Sequence, residues 1–239
     1  MEGISTGGNV VHRINPTTLK STYFHLKGAK LVRPIVAILI WLHVDANWVT
    51  GASLIIAGLA GRALFHGEWW TAILYIGLNG LCDVTDGELA REQARRGERK
   101  FYLKEMGNVL DGLTDRFADL FFFWGLMRYT GTFMQSVNCD LFMCLNDWFI
   151  LALGAHIISS YLRASIEKNG YKLDEKRPLT RGGFHVGVIL VCLLMGCIPN
   201  SDATVFYWSS LVAICLPTIF NLLKRIVKAI IMYRKLKSN

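Results

Sequence analysis

Six runs of mostly apolar residues dominate this chain of 239 residues, at Asn47–Phe65, Trp69–Ala90, Met106–Met127, Trp148–Ala164, Phe184–Ile198 and Val205–Ile231. Most approach the roughly 20 residues that carry a helix across a bilayer. Hydrophobic residues make up 52% of the chain and charged residues 18%. An ordinary soluble domain carries about 25% charge, so a disordered or collagen-like chain is excluded and the balance argues against a water-soluble globule.

The stretch Leu31–His43 is apolar but short, follows Lys20, Lys27 and Lys30, and includes Arg33. That pattern suits an amphipathic helix lying along the cytoplasmic interface. The expected fold is therefore all-α and integral to the membrane, with six transmembrane helices preceded by an N-terminal interfacial amphipathic helix. Residues 1–30 read as a polar N-terminal cytoplasmic segment without a signal peptide, and residues 31–239 as a single membrane domain. Trp69, Trp70 and Trp148 open their spans as interfacial anchors, and Pro217 should kink the sixth helix.

The net charge is +8, and its distribution explains it. All 26 basic residues except Arg62, Arg116 and Arg128 fall in the N-terminal segment, the second-to-third connection, the fourth-to-fifth connection or the C-terminal segment. The positive-inside rule places those four regions, and both termini, in the cytoplasm. Alternation through six helices gives the same answer. The charge thus reports topology and a membrane partner, with no nucleic acid required. The six cysteines form no CxxC pair, which argues against a zinc cluster.

Two spans break the hydropathy pattern. Asp83 and Asp86 fall near the end of the second, and Asp111 and Asp115 in the third. Carboxylates at membrane depth are costly and mark functional sites by default. Asp83 and Asp86 are three apart, so they share a helix face, while Asp111 and Asp115 are four apart on one face of the next helix. The two helices are antiparallel neighbours across a short cytoplasmic loop. A constant sum of residue numbers across that hairpin pairs Asp83 with Asp115, Asp86 with Asp111, and Arg91 with Gly107. Four carboxylates so close cannot all stay ionised without counter-charge. One or two divalent cations resolve the conflict, and all-oxygen ligation favours Mg²⁺ or Mn²⁺. Magnesium held this way takes further ligands from substrate phosphates, so the cluster reads as a centre that handles phosphoryl or diphosphate groups. Gly87, Ala90 and Gly107 are small where a ligand would pass close to the backbone.

The run Asp83-Val-Thr-Asp86-Gly87-Glu-Leu-Ala90-Arg91, followed by Gly107-Asn-Val-Leu-Asp111-Gly-Leu-Thr-Asp115, resembles the signature of the CDP-alcohol phosphotransferases. Asn47-Trp-Val-Thr50 and Ser160-Tyr-Leu-Arg163-Ala164 resemble two further elements of that family. One departure is visible: the fifteen residues Glu92–Met106 exceed the family's usual spacing by close to two helical turns. Two turns move the motif along the helix without rotating it, whereas the usual spacing would bring Lys100, Lys104 and Asn108 into the motif positions, and a lysine repels a cation.

The resemblance implies transfer of a substituted phosphate from a CDP-linked donor to an alcohol, with release of CMP. It implies Asp83, Asp86, Asp111 and Asp115 as metal ligands for two Mg²⁺ or Mn²⁺ ions and Asp115 as general base. Gly87, Ala90, Arg91, Gly107, Asn47 and Thr50 would bind the nucleotide. It further implies a homodimer, and the expected location is a prokaryotic plasma membrane. The donor could be CDP-diacylglycerol, its archaeal ether analogue or a water-soluble CDP-alcohol, of which a lipid fits a site at membrane depth. Arg163, Lys168, Arg177 and Arg181 gather on the cytoplasmic side, which suits an anionic acceptor such as inositol phosphate or glycerol phosphate. Blander readings stand beside these. Asn47 could cap the first helix, Arg163 could snorkel, and Arg177 and Arg181 could serve topology alone. His156 reads as a packed polar residue, and Arg116 and Asp119 as local partners without an assigned role. Two other classes also use intramembrane acids: membrane prenyltransferases and cation transporters. A prenyltransferase would be expected to carry two widely separated aspartate-rich motifs, and a transporter leaves Gly87, Ala90, Arg91 and Gly107 unexplained.

The topology is testable by labelling. In a background lacking the native cysteines, a cysteine at Lys172 should react with an impermeant thiol reagent only from the cytoplasmic side, and one at Gln135 only from the opposite side. The reverse pattern would overturn the charge argument.

Overall fold

The computed structural model describes residues 32–97, 101–134, 141–168, 181–198 and 203–237, and these are helical throughout apart from short turns. The segment 1–30 lies outside the described residues. Helix α1 spans Val32–Trp41, within the expected Leu31–His43. It stops in a Schellman turn: Val44 N–H donates to Leu39 O and His43 N–H to Ile40 O, with His43 at φ 56°. Val32 and Val36 of α1 are buried with Leu89 and Ala46, while Ile38 and Trp41 are exposed.

Helix α2, Ala46–His66, begins at Asp45, whose carboxylate accepts from Asn47 N–H at 2.8 Å. Asp45 rather than Asn47 is therefore the cap. The helix ends where Gly67, at φ 69°, takes the left-handed position of a second Schellman turn. Helix α3 follows at once as Trp69–Arg95. Next come α4, Phe101–Met134, and α5, Leu141–Lys168. Helix α6 is Arg181–Cys197 and α7 is Ala203–Ser210.

The last apolar stretch is one continuous rod with a defect. Helix α7 runs into a π-helical turn, Leu211–Cys215, and then into α8, Leu216–Lys237. Pro217 explains the defect. It has no N–H to give the carbonyl four residues back, Ala213, and its ring crowds that carbonyl. The chain widens instead, and Leu216 N–H reaches back to Leu211 O. The kink expected at Pro217 is thus expressed one turn earlier, as a π turn. The displaced Ala213 carbonyl lies where a Cβ on Gly187 of α6 would be, so only glycine fits there.

Helix α2 packs along both α3 and α4. Its buried face is Ala46, Thr50, Ser53, Ala57, Ala60, Gly61 and Leu64, a helical repeat of mostly small side chains. Between helices in lipid there is no hydrophobic drive, and close backbone approach replaces it. That approach is tightest where Gly61 of α2 meets α4. A Cβ at Gly61 would stand 2.6 Å from Phe121 O, and one at Gly125 would strike Gly61 O. Asn79 of α3 donates to Ser53 O at 3.0 Å and to Ser53 Oγ at 2.9 Å, which ties the third helix to the same face.

Among the described residues, three helices are long and apolar enough to cross a membrane: Ala46–His66, Leu145–Ile166 and Val205–Ile231. Helices α3 and α4 have the length, at 27 and 34 residues, but their charged residues lower their apolar character. Helix α6 is 17 residues long. Large apolar side chains cover the outside of the bundle, among them Ile55, Leu74, Ile150, Val212 and Phe220. An outer surface of that kind matches lipid rather than water.

The glycine contact gives a direct test of this packing. Gly61→Ala should lower the unfolding midpoint in detergent through an overpacking cost of about 1–3 kcal/mol. Gly58→Ala, whose Cβ would meet only Phe121 Cε2 at 3.9 Å, should be neutral or stabilising, because alanine is the better helix former. Equal midpoints for the two variants would refute backbone contact between α2 and α4.

Candidate active site

The site is assembled where the first turns of α2, the last turns of α3 and the first half of α4 come together. Helix periodicity puts Asp83 and Asp86 on the face of α3 turned to α4, and Asp111 and Asp115 on the facing side of α4. One carboxylate oxygen from each of Asp83, Asp111 and Asp115 lies within 4.8 Å of the others. Asp111 is exposed, and Asp83 and Asp115 are half-buried, so the cluster opens to solvent at one side.

Asp86 is the most buried of the four and has a different partner. Thr50 Oγ1 of α2 stands 2.7 Å from Asp86 Oδ2 and 3.2 Å from Ala46 O. A hydroxyl has one proton to donate, and the shorter contact to a charged acceptor is the stronger. The charges of Asp83 and Asp111 both act on Asp86, which makes the four carboxylates one electrostatic unit drawn from two helices and anchored by a third. Sequence reasoning placed Thr50 with the nucleotide ligands; in the structure its hydroxyl meets Asp86.

The arrangement fits a divalent cation. Three carboxylate oxygens converge within 4.8 Å of one another, and oxygen donors suit hard ions. Among the described residues Arg91 does not supply the counter-charge: its Nη2 donates to Glu88 Oε1 at 2.8 Å. Its guanidinium folds back over Gly87, 3.6–3.9 Å from where a Cβ would stand. Arg91 borders a groove of about 370 Å³ between α1 and the end of α3, also lined by Arg33, Ala37, Ile40, Arg95 and Arg96. Ala90 packs against the small cluster of α1 and Leu89.

The remaining expected residues are placed as follows. Asn47 is half-buried in the first turn of α2. Gly107 lies in α4 one turn before Asp111, with its surroundings outside the described residues. Arg163 is exposed on α5. Lys168 and Arg181 belong to α5 and α6, but their side chains are outside the described residues, as is the whole of Arg177.

Arg116, Asp119 and His156, which sequence reasoning left without a role, meet in one polar group with His185 of α6. Asp119, one turn below Asp115, is 1% exposed. His156 of α5 contacts its Oδ2 at 2.8 Å, and His185 of α6 contacts its Oδ1 at 3.2 Å. Arg116 Nη1 lies 3.4 Å from Oδ2. The signal available in the sequence was the continuation of the Asp111, Asp115 spacing to Asp119.

Comparison with known proteins places the chain in a class. The profile of the CDP-alcohol phosphatidyltransferase family matches residues 43–223, so the chain belongs to that family. No curated protein sequence matches it. Among solved structures, phosphatidylinositol phosphate synthase of Mycobacterium tuberculosis with CDP-DAG bound is similar, with a TM-score of 0.68 and 19% identity over 82% of this chain and 92% of that one. The same synthase in complex with manganese and citrate aligns with a TM-score of 0.65 and 20% identity, over 81% of this chain and 86% of that one. At these identities the likeness establishes the fold.

The register of the third-helix motif follows from the cluster and can be tested by metal binding alone. Asp111→Asn and Asp115→Asn should each weaken Mn²⁺ binding about tenfold or more, since even partners one shell out cost 10–100-fold. Lys104→Ala and Asn108→Ala should leave it within about threefold. Loss of binding in the second pair and not the first would show that the shorter family spacing applies.

Proposed function

We propose that this chain transfers a phosphatidyl group, or its archaeal ether-lipid equivalent, from a CDP-linked lipid to the hydroxyl of an alcohol and releases CMP. The observation that carries this reading is the convergence of Asp83, Asp111 and Asp115 inside a family defined by CDP-alcohol chemistry. Support comes also from fold neighbours described with CDP-DAG bound and in complex with manganese.

In this reading Asp83, Asp86, Asp111 and Asp115 hold two Mg²⁺ or Mn²⁺ ions. When bound, such ions neutralise charge on the diphosphate and on the leaving CMP. The protein's own groups do the rest. Asp115 accepts the proton of the acceptor hydroxyl as its oxygen attacks the lipid-bearing phosphorus. The bond from that phosphorus to the CMP oxygen breaks, and CMP leaves with the electron pair. Thr50 keeps Asp86 aimed at the cluster. Arg91 swings from Glu88 to the nucleotide phosphate, and Asn47, Gly87, Ala90 and Gly107 make the nucleotide's place. Arg163, Lys168, Arg177 and Arg181 receive an anionic, phosphorylated polyol. Six helices span a prokaryotic plasma membrane as part of a homodimer, with α1 along the interface, both termini in the cytoplasm and the site open to that side.

The experiment is to incubate the purified protein and Mg²⁺ with CDP-diacylglycerol, its ether analogue or a soluble CDP-alcohol. Each donor is paired with inositol phosphate or glycerol phosphate, and CMP is measured. One donor and acceptor pair should release CMP stoichiometrically with product. A chelator should abolish the release and added Mg²⁺ or Mn²⁺ restore it. Undiminished release in chelator would overturn the mechanism, and no release with any pair would overturn the function.

A further inference from the structure

Helix α4 carries Asp111, Asp115 and Asp119 at successive four-residue steps, on one face. Exposure falls steadily along that face: Asp111 is exposed, Asp115 half-buried, and Ala118 and Asp119 fully buried. Asp119 is therefore where the metal-bearing half of α4 first becomes fixed in the bundle. An aspartate accepts and does not donate, so each imidazole must present Nε2–H to it. His156 then meets Oδ2 from α5, and His185 meets Oδ1 from α6. The two oxygens of one carboxylate are thus held from two different helices. Arg116 adds its charge from the side, at 3.4 Å from Oδ2 and 3.1 Å from His156 Nε2. Below the cluster, Phe122 and Phe184 pack around the imidazoles, with ring centroids 5.3 Å from His185 and 5.4 Å from His156 respectively.

We infer that the His156–Asp119–His185 clasp is a positioning device for the site, and that it sets the rotation and depth of α4 so that Asp111 and Asp115 face Asp83. The inference rests on the metal-site reading above. It is distinct from the acidic motif, because none of the three residues belongs to it. The physical argument is directional. A carboxylate held by two donors on opposite sides resists rotation of its helix, and misplacement of a reacting group by about 1 Å can cost roughly 10²-fold in rate. Loss of either imidazole removes one of the directional bonds to a buried charge, which drives local rearrangement.

The test separates positioning from bulk stability. In His156→Leu and His185→Leu, Mn²⁺ affinity per folded molecule should fall about tenfold. Turnover at saturating Mn²⁺ and donor should fall by a similar factor. Glutamine keeps an N–H donor, so His156→Gln and His185→Gln should recover both to within about threefold of the parent. Asp119→Asn, which conserves shape, serves where a leucine variant fails to fold, and its affinity should fall between those of the leucine and glutamine variants. Parental Mn²⁺ affinity and turnover in the folded leucine or Asp119→Asn variants, whatever their unfolding midpoint, would overturn the inference. So would glutamine variants no better than the leucine ones. A parent that binds Mn²⁺ and releases no CMP would instead count against the proposed reaction, and the Mn²⁺ series would still decide the role of the clasp.

Discussion

Repulsion among Asp83, Asp86, Asp111 and Asp115 is the term that this end of the bundle must balance. Two like charges about 5 Å apart repel by roughly 3 kcal/mol at an effective dielectric of about 20. A hydrogen bond to a charged group returns about 1.5–3 kcal/mol, so the bond from Thr50 to Asp86 offsets a single pair at most. The rest has to come from packing that forces the helices together and from counter-charge. Helix α2 supplies the packing. Its small buried face allows α3 on one side and α4 on the other, and backbone contact at Gly61 and Gly125 fixes the α2–α4 distance. The same helix that carries no acid of the motif thus determines whether the acids meet.

Much of this was legible in the sequence because it depends on local periodicity. The three- and four-residue spacings of the acids fixed their helix faces, and the hairpin geometry matched Asp83 with Asp115. The surplus in the loop could be read as two helical turns for the same reason. Helix positions followed from the apolar runs, although α4 and α5 extend well beyond Met106–Met127 and Trp148–Ala164, since helical geometry continues past the apolar part. What could not be read were contacts that depend on how non-adjacent helices turn toward each other. Thr50 shows no sign, in sequence, of lying over Asp86. His156 and His185 sit in apolar runs on helices whose orientation to α4 no local pattern sets. Pro217 announced a distortion, but the choice of a π turn over a sharp bend depended on what the Ala213 carbonyl would meet, and it meets Gly187.

Helix α4 carries a gradient that organises the whole site. Its N-terminal half presents carboxylates to solvent and the facing helix, its middle holds the Asp119 clasp, and its C-terminal half is aromatic. Phe123 stacks on Phe184 with centroids 4.7 Å apart and meets Phe149 edge-on at 6.5 Å. Further along, Tyr129 packs against Trp69 and Phe206. Aromatic contact of this kind is broad and tolerant of small shifts, because offset and edge-on arrangements are close in energy. It holds the helices together without fixing their rotation.

Rotation and depth therefore have to be set by something directional, and the polar layer is the only part of the middle of α4 with that property among the described residues. An aspartate among apolar helices is expensive unless its oxygens are hydrogen-bonded, and a one-turn slide that brings Phe123 to the histidines would leave both without their acceptor. The desolvation cost of Asp119 thus becomes a penalty against a slide of α4 in that direction and against its rotation, whatever the pair contributes to net stability. Arg225 of α8 makes a similar contact to α5 three residues further on, where it is 5% exposed and donates to Ser159 O and Oγ at 2.8 Å each. Helix α5 is consequently pinned to α4 and to α8 by polar contacts within one turn of each other, at His156 and Ser159. The helices around the carboxylates are thereby located by a few directional bonds, while dispersion and close backbone contact supply the cohesion.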